Sequence, residues 1–253
     1  MRCFAHIAYN GAKYHGWQSQ PNSHTVQEVL EDTFSTILNR EISIVGCGRT
    51  DTGVHASSYY FHFDCPQPFP PNFEYRINKY LPKDIVVYQL YKVPPDAHAR
   101  FDAVNRSYHY HLSFIKDPFQ QSTTAYLPLA QKADFEKLQQ AAQLLLQYNQ
   151  FYPFCKSDSD TLGYICTIKT TQWYTKANGL VFNIQANRFL RGMVRLIVGM
   201  CLNVGWEKLT LEEVNASLKQ QKRLKNAWSA PPEGLFLSQI EYPYPLKPLT
   251  LLE

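Results

Sequence analysis

The order of strands and helices constrains the fold of this 253-residue chain more than any other feature of its sequence. In the first half, hydrophobic periodicity predicts strands at 2–9, 42–47, 57–64 and 84–93 and helices at 25–38 and 72–80. In the second half it predicts strands at 106–114, 163–175, 179–187 and 234–242 and helices at 132–147, 189–203 and 210–220. Strand–helix–strand–strand order in both halves predicts an α+β fold of two related units, 1–103 and 104–253.

Two local signals support individual elements of this assignment. Thr25 followed by Glu28 three residues later forms the pattern of a capping box, which predicts a helix beginning at Val26. Asn178-Gly179 stands between two predicted strands and is typical of a two-residue hairpin turn. We therefore expect a helix that begins at Val26 in the first unit and an antiparallel hairpin in the second unit.

Composition limits the class of protein. Apolar residues make up 45% of the chain, enough for a substantial core, and the net charge of +4 permits an anionic partner without requiring one. The six cysteines form no CxxC pair, which argues against a disulfide framework or a zinc site. No apolar run approaches the roughly 20 residues that a membrane span needs, and the N-terminus lacks a signal-peptide pattern. We expect a cytoplasmic protein with no membrane segment.

The loop GCGRTDTGVHA, residues 46–56, joins two predicted strands and contains an arginine, an aspartate and a histidine. Read alone, it is most simply a glycine-rich turn in which Asp51 caps the backbone and Arg49 is solvated. A phosphate-binding loop is a second interpretation, although the GxxxxGK[ST] pattern is missing. A metal site is a third, although the nearby acids and histidines lack ligand spacing.

A fourth interpretation makes Asp51 a catalytic carboxylate. Aspartate side chains are ionised at neutral pH in water, so such a residue can act without a neighbouring base. A nearby arginine would orient the carboxylate oxygens and compensate for their partial burial. Arg188, Arg191 and Arg195 would lie on one face of the helix predicted at 189–203, although a solvated helix face explains them equally well.

The loop also resembles a known motif: GRTDTGVHA, residues 48–56, is similar to the GRTDxGVHA motif of tRNA pseudouridine synthases of the TruA family. Further segments resemble this family in the same order along the chain. They are YNG and YHGWQ within residues 9–18, VQE at 26–28, HARF at 98–101, RSYHY at 106–110, NRFLRGMVR at 187–195 and EGLFL at 233–237. Three places depart from the family pattern: Asn10 replaces Asp, Thr52 replaces Ala, and FYPF at 151–154 replaces FTSF.

The resemblance implies two ferredoxin-like or RRM-like α+β halves joined through a mostly antiparallel sheet, with the active-site cleft between them. It implies isomerisation of uridine to pseudouridine in the anticodon stem-loop of tRNA, at positions 38 to 40, after the target base is flipped out. The resemblance implies that Asp51 acts as the catalytic nucleophile or general base and that Arg195 pairs with it. It implies that Tyr108 stacks on the target uracil and that Arg49 occupies the gap left by the flipped nucleotide. It also implies that Leu235 lines the pocket and that Arg191 binds substrate.

The reaction rearranges one nucleotide of the substrate and needs no redox cofactor, no ATP and no other small-molecule cofactor. We therefore expect neither a small-molecule cofactor nor a metal ion. The resemblance further implies that tRNA is the partner and that the protein is a homodimer. Lys219, Lys222, Arg223 and Lys225 form a second basic cluster that is either an RNA contact or a solvated helix end. Two other classes stay open from the residues alone: a non-catalytic RNA-binding module and a metal-dependent nuclease.

Overall fold

The computed structural model describes residues 1–65, 69–156 and 163–249. The strands are β1 (Arg2–Tyr9), β2 (Ile44–Gly46), β3 (His55–Asp64), β4 (Ile85–Lys92), β5 (Asn105–Ser113), β6 (Ala125–Tyr126), β7 (Ile168–Lys176), β8 (Gly179–Ala186), β9 (Leu235–Glu241) and β10 (Lys247–Pro248). The α-helices are α1 (Val26–Leu38), α2 (Phe73–Tyr80), α3 (Phe135–Leu144), α4 (Met193–Gly205) and α5 (Leu211–Gln220). Within the described ranges, no helix combines the length and apolar character needed to cross a membrane.

The chain forms two compact units. The first contains residues 1–104 together with the chain from Leu237 onward, and the second contains Asn105–Phe236. The second half predicted from the sequence, residues 104–253, includes β10, whereas β10 pairs with β4 of the first unit through Lys247 opposite Lys92. Such a pairing joins residues more than 150 positions apart, so the local pattern of the sequence does not reveal it.

In the first unit, β1 lies between β3 and β4 and pairs antiparallel with both, and β2 pairs with β3. The capping box expected at the start of α1 is confirmed, with Thr25 and Glu28 exchanging side chain–backbone bonds. The buried face of α1 places Phe34 edge-on against Phe61 and Phe63 of β3. Burial of these rings against one another attaches α1 to one face of the sheet.

In the second unit, β8 lies between β5 and β7 and pairs antiparallel with both, while the short β6 runs parallel to β5. The expected hairpin between β7 and β8 is confirmed, but its two turn residues are Ala177 and Asn178, because the last pair of the two strands joins Lys176 to Gly179. Helix α4 is buried throughout from Ile197 to Gly205 and packs against α3. The expected α+β fold with mostly antiparallel strands is therefore confirmed.

The predicted helix at 189–203 is wrong at its beginning. Helix α4 begins at Met193, because Gly192 adopts a left-handed conformation with φ +69° and interrupts the helical path. Arg188 and Arg191 consequently precede the helix and do not share a helical face with Arg195. Hydrophobic periodicity did not reveal this break, since Leu190 and Met193 are both buried although only Met193 is helical.

Candidate active site

The loop between β2 and β3 carries Asp51, and its backbone is held on both sides of that residue. The carbonyl of Thr50 accepts a hydrogen bond from the amide of Trp17 at 3.3 Å, and the carbonyl of Asp51 accepts one from the amide of Val54 at 3.1 Å. The hydroxyls of Tyr9 and Thr50 lie 2.9 Å apart. Asp51 is half-buried, so these bonds fix where its carboxylate leaves the loop.

The segment from Gly11 to Trp17, directly after β1, supports this loop. The Gly11 amide donates to Nδ1 of the buried His55 at 3.0 Å, which places the proton of the neutral ring on Nε2. Gly16 has φ +87°, and a Cβ atom there would lie 2.3 Å from the carbonyl oxygen of Thr50. Only glycine permits the backbone to approach the Thr50 carbonyl this closely, and the YHGWQ segment therefore requires a glycine at position 16.

A buried aromatic pair holds the beginning of the loop. The rings of Trp17 and Tyr59 stack with centroids 4.1 Å apart, and both residues are buried. The Tyr59 hydroxyl donates to the carbonyl of Gly48 at 2.5 Å. Arg49 therefore projects, exposed, from a backbone that is anchored at the residues before and after it.

In the second unit, Tyr108 lies on β5 opposite Ile184 of β8. Its ring meets that of Phe189 edge-on, with centroids 5.1 Å apart and planes at 87°. Tyr108 is half-buried, whereas Tyr110 on the same face of β5 is fully buried. Burial raises the pKa of Tyr110, whose hydroxyl donates to the carbonyl of Pro231 at 3.0 Å. Packing against Phe189 sets the orientation of the Tyr108 ring.

Arg195 lies in the first turn of α4, and two reciprocal bonds join it to Ala230. Its Nε donates to the carbonyl of Ala230 at 2.6 Å, and the amide of Ala230 donates to the carbonyl of Arg195 at 3.0 Å. The Nε bond fixes the plane of the guanidinium, while the two Nη atoms carry its four remaining donors. Such a group is preorganised to bind a carboxylate with two parallel bonds.

The other two proposed site residues of this unit differ in exposure. Arg191 is exposed, and its carbonyl accepts a hydrogen bond from the amide of Lys156 at 3.0 Å. Leu235 is 6% exposed and begins β9 directly after a short 3₁₀ helix. The carbonyl of Pro231, which accepts the Tyr110 bond, holds the chain just before that helix.

Sequence reasoning missed the residues that position the loop and the arginine. Tyr9, Trp17 and Tyr59 hold the loop, and Ala230 holds Arg195. The only signal for the first two is that they lie in segments resembling the family motifs, and nothing in the sequence marked Tyr59 or Ala230. In the described part of the chain, no three His, Cys, Asp or Glu side chains cluster in a way that could hold a metal ion.

Comparisons with known proteins identify the family of this chain. A sequence model of the tRNA pseudouridine synthase family matches residues 5–102 and 141–243. The chain is 42% identical to tRNA pseudouridine synthase A of Porphyromonas gingivalis, over 96% of this chain and 97% of that protein. It is 45% identical to the protein of the same name in Bacteroides thetaiotaomicron, over 96% and 91% of the two chains. The resemblance found in the sequence is confirmed, and the chain belongs to the tRNA pseudouridine synthase family.

Proposed function

We propose that this enzyme isomerises uridine to pseudouridine in the anticodon stem-loop of tRNA, with Asp51 as the catalytic carboxylate. The relatives named tRNA pseudouridine synthase A support tRNA as the substrate. The observation that carries the proposal is the anchoring of the Asp51 loop by backbone bonds from the segment that follows β1. A backbone fixed in this way presents one carboxylate in one direction, which catalysis requires.

The reaction balances within a single nucleotide. The bond between the uracil nitrogen and the ribose carbon breaks, the base turns, and a bond from a uracil carbon forms to the same ribose carbon. The carbon that forms the new bond loses its proton and the freed nitrogen gains one, so no electrons are transferred overall. The enzyme therefore has to bind, orient and move protons.

Asp51 has three possible roles in this scheme. Its carboxylate could attack the ribose carbon as a nucleophile, remove the 2′ proton as a base, or attack the uracil ring. Each role requires an ionised carboxylate held against the flipped nucleotide. Arg195 is proposed to pair with that carboxylate, because its Nε bond to Ala230 already fixes the guanidinium plane.

The remaining residues are proposed to hold the substrate. Tyr108 would stack on the extruded uracil and replace part of the stacking lost on flipping, which costs a few kcal/mol. Arg49, exposed on an anchored backbone, would occupy the gap that the base leaves. Leu235 would form an apolar wall of the pocket, and the exposed Arg191 would contact phosphate. The family resemblance further supports a homodimer acting in the cytoplasm, with tRNA laid across both subunits.

The decisive experiment incubates the protein, dialysed against EDTA and without added nucleotide, with an unmodified, prefolded tRNA transcript. Carbodiimide mapping is expected to find pseudouridine in the anticodon stem-loop, and the Asp51→Asn variant is expected to give none. Binding of the tRNA without any pseudouridine would overturn the proposal in favour of an RNA-binding module. Pseudouridine outside the anticodon arm would overturn the proposed specificity.

A further inference from the structure

The second unit contains a cation–aromatic cluster of Tyr152, Tyr164 and Arg223, none of which has been given a catalytic role above. The guanidinium carbon of Arg223 lies over the Tyr152 ring, 5.4 Å from its centroid. The rings of Tyr152 and Tyr164 meet edge-on, with centroids 4.9 Å apart and planes at 77°. Arg223 is exposed, and the two tyrosines are half-buried.

The backbone beneath Tyr152 is firmly attached to the core. Tyr152 opens a short 3₁₀ helix, and both the preceding residue, Phe151, and the last residue of the helix, Phe154, are buried, at 0% and 1% exposed. The amide of Phe151 donates to the carbonyl of Tyr164 at 2.9 Å, which joins the two tyrosine segments. The amide of Tyr152 donates to Oε1 of Gln221 at 3.3 Å. The ring on which Arg223 lies is therefore held in place.

The backbone before Arg223 is also fixed. Helix α5 ends at Gln220, and Gln221 follows in a left-handed conformation with φ +51°. The buried Ser217 donates from its hydroxyl to the carbonyl of Lys222 at 2.5 Å and accepts the Lys222 amide at its own carbonyl at 3.1 Å. Arg223 thus follows a fixed turn, and its guanidinium carbon lies over a fixed ring. An arginine contacts an aromatic ring through the face of its guanidinium, whereas its N–H groups lie in the guanidinium plane.

Helix-end electrostatics explains only part of the charge at this position. Glu212 and Glu213 lie in the first turn of α5 and Lys219 in its last, as the helix dipole favours. Arg223 and Lys222 lie beyond the helix, where that effect has decayed, and the dipole does not require Arg223 to stack on a tyrosine. The tyrosine itself stands where the family pattern FTSF has a threonine.

We propose that Arg223 binds a phosphate of the tRNA substrate and that Tyr152 is its positioning residue. This inference rests on the proposed function, because it takes tRNA as the ligand. The planar fork of an arginine matches two phosphate oxygens, and stacking on tyrosine removes much of the freedom that binding would otherwise have to remove. Exposed Lys222, next in the chain, adds positive charge to the same surface.

The test measures the dissociation constant of unmodified tRNA between about 50 and 200 mM salt. Arg223→Gln is expected to raise Kd about three- to tenfold and to reduce the slope of log Kd against log salt by about 1. Arg223→Lys should keep the slope and still lose affinity, because the fork is lost. Tyr152→Leu should raise Kd and Tyr152→Phe should bind like the unchanged protein, since Phe keeps the ring. Single-turnover rates at saturating tRNA should not change in any variant.

The matched control is another exposed cation–aromatic pair, Lys79 over the ring of Tyr75 at 5.8 Å on helix α2. Lys79→Gln is expected to leave Kd and its salt slope unchanged. If Lys79→Gln weakens tRNA binding as much as Arg223→Gln does, the loss of any positive charge explains both effects, and the proposal is overturned. If the original protein forms pseudouridine and the Arg223→Gln variant binds tRNA with an unchanged Kd, the phosphate contact of Arg223 is refuted and the proposed activity stands. If instead no pseudouridine forms while Arg223→Gln still weakens binding, the proposed activity fails and the RNA contact stands.

Discussion

At the scale of single residues, hydrogen bonds to the backbone on either side of Asp51 set its position. The amide of Trp17 donates to the carbonyl of Thr50, and the hydroxyl of Tyr59 donates to the carbonyl of Gly48. Side chains and amides from distant positions are thus used to hold a loop only a few residues long. Arg195 follows the same logic, because Ala230 bonds both its backbone and its side chain.

Replacement of Asp51 by Asn tests the catalytic assignment. The amide is similar in size to the carboxylate but can neither act as a base nor attack as an anion, so isomerisation should be lost. Because the loop backbone is held by other groups, the tRNA dissociation constant should change by less than about tenfold, roughly 1.4 kcal/mol. Filter binding measures the dissociation constant, and single-turnover assays on the same preparation measure the rate of isomerisation. Turnover near the original rate would exclude Asp51 as the catalytic carboxylate.

Replacement of Arg195 separates charge from geometry. Lysine keeps the charge but loses the Nε donor to Ala230 and the bidentate fork, so Arg195→Lys should lose most of the turnover rate and Arg195→Met nearly all of it. Loss of this charge-assisted hydrogen bond should also lower the free energy of unfolding by about 2 kcal/mol.

Denaturant melts provide the measurement, with Arg191→Met as the control for stability. Arg191 is exposed and precedes α4, so its replacement should leave the unfolding midpoint unchanged. Equal midpoints for Arg195→Met and the original protein, together with an unchanged rate, would contradict the proposed pairing of Arg195 with Asp51.

At the scale of elements, the beginning of α4 decides where the three arginines lie. Gly192 turns the chain just before the helix, so Arg195 enters the first turn of α4 while Arg191 stays outside it. The aliphatic chain of Lys156 covers Gly192, and the Lys156 amide bonds to the Arg191 carbonyl. The helix start is therefore set by a glycine and by packing from a distant segment.

Gly192→Ala tests this helix start. A Cβ atom there would lie 2.6 Å from the Lys156 side chain in a left-handed conformation, which costs an L-residue roughly 1–2 kcal/mol. We expect a loss of unfolding free energy of that size, measured by urea melts. Gly48→Ala is the matched control, because nothing lies within 4 Å of its added Cβ. A Gly192→Ala variant as stable as Gly48→Ala would contradict the proposed requirement for glycine.

At the scale of the whole molecule, buried and half-buried histidines make the fold sensitive to acid. Burial, and then the neighbouring His98, lower the pKa of His62 to about 4. Its Nδ1 accepts a hydrogen bond from the amide of Ala99 at 3.2 Å, which requires an unprotonated Nδ1. Burial also lowers the pKa of His6, His98 and His109. All four favour the neutral ring in the folded chain.

His62 predicts the direction of the pH dependence. Its pKa is 6.5 in the unfolded chain and about 4 in the fold, so the unfolded chain binds the proton more readily. The contribution of His62 to the free energy of unfolding should be fully present above pH 6.5. It should fall by about 3 kcal/mol as the pH drops from 6.5 through 4.

The variant His62→Gln keeps an acceptor for the Ala99 amide but does not titrate. Its unfolding free energy should fall less than that of the original protein over the same pH range, by about the 3 kcal/mol assigned to His62. Chemical melts at pH 7 and pH 4 provide the comparison. Identical pH profiles for the two proteins would show that His62 does not carry this dependence.

The sequence by itself determined the features that depend on near neighbours in the chain. The capping box at Thr25, the hairpin between β7 and β8 and the α+β order of elements follow from local hydrogen bonding and hydrophobic period. The motif around Asp51 also identified the family without any structure.

Only the tertiary structure decided the features that depend on distant parts of the chain. These are the return of β10 to β4, the bond from Trp17 to the Asp51 loop, the helix start at Gly192 and the position of Arg223 over the Tyr152 ring. Each joins residues whose separation along the chain carries no periodic signal. Local patterns encode which element forms, whereas packing between elements, which sequence spacing does not record, decides what each side chain touches.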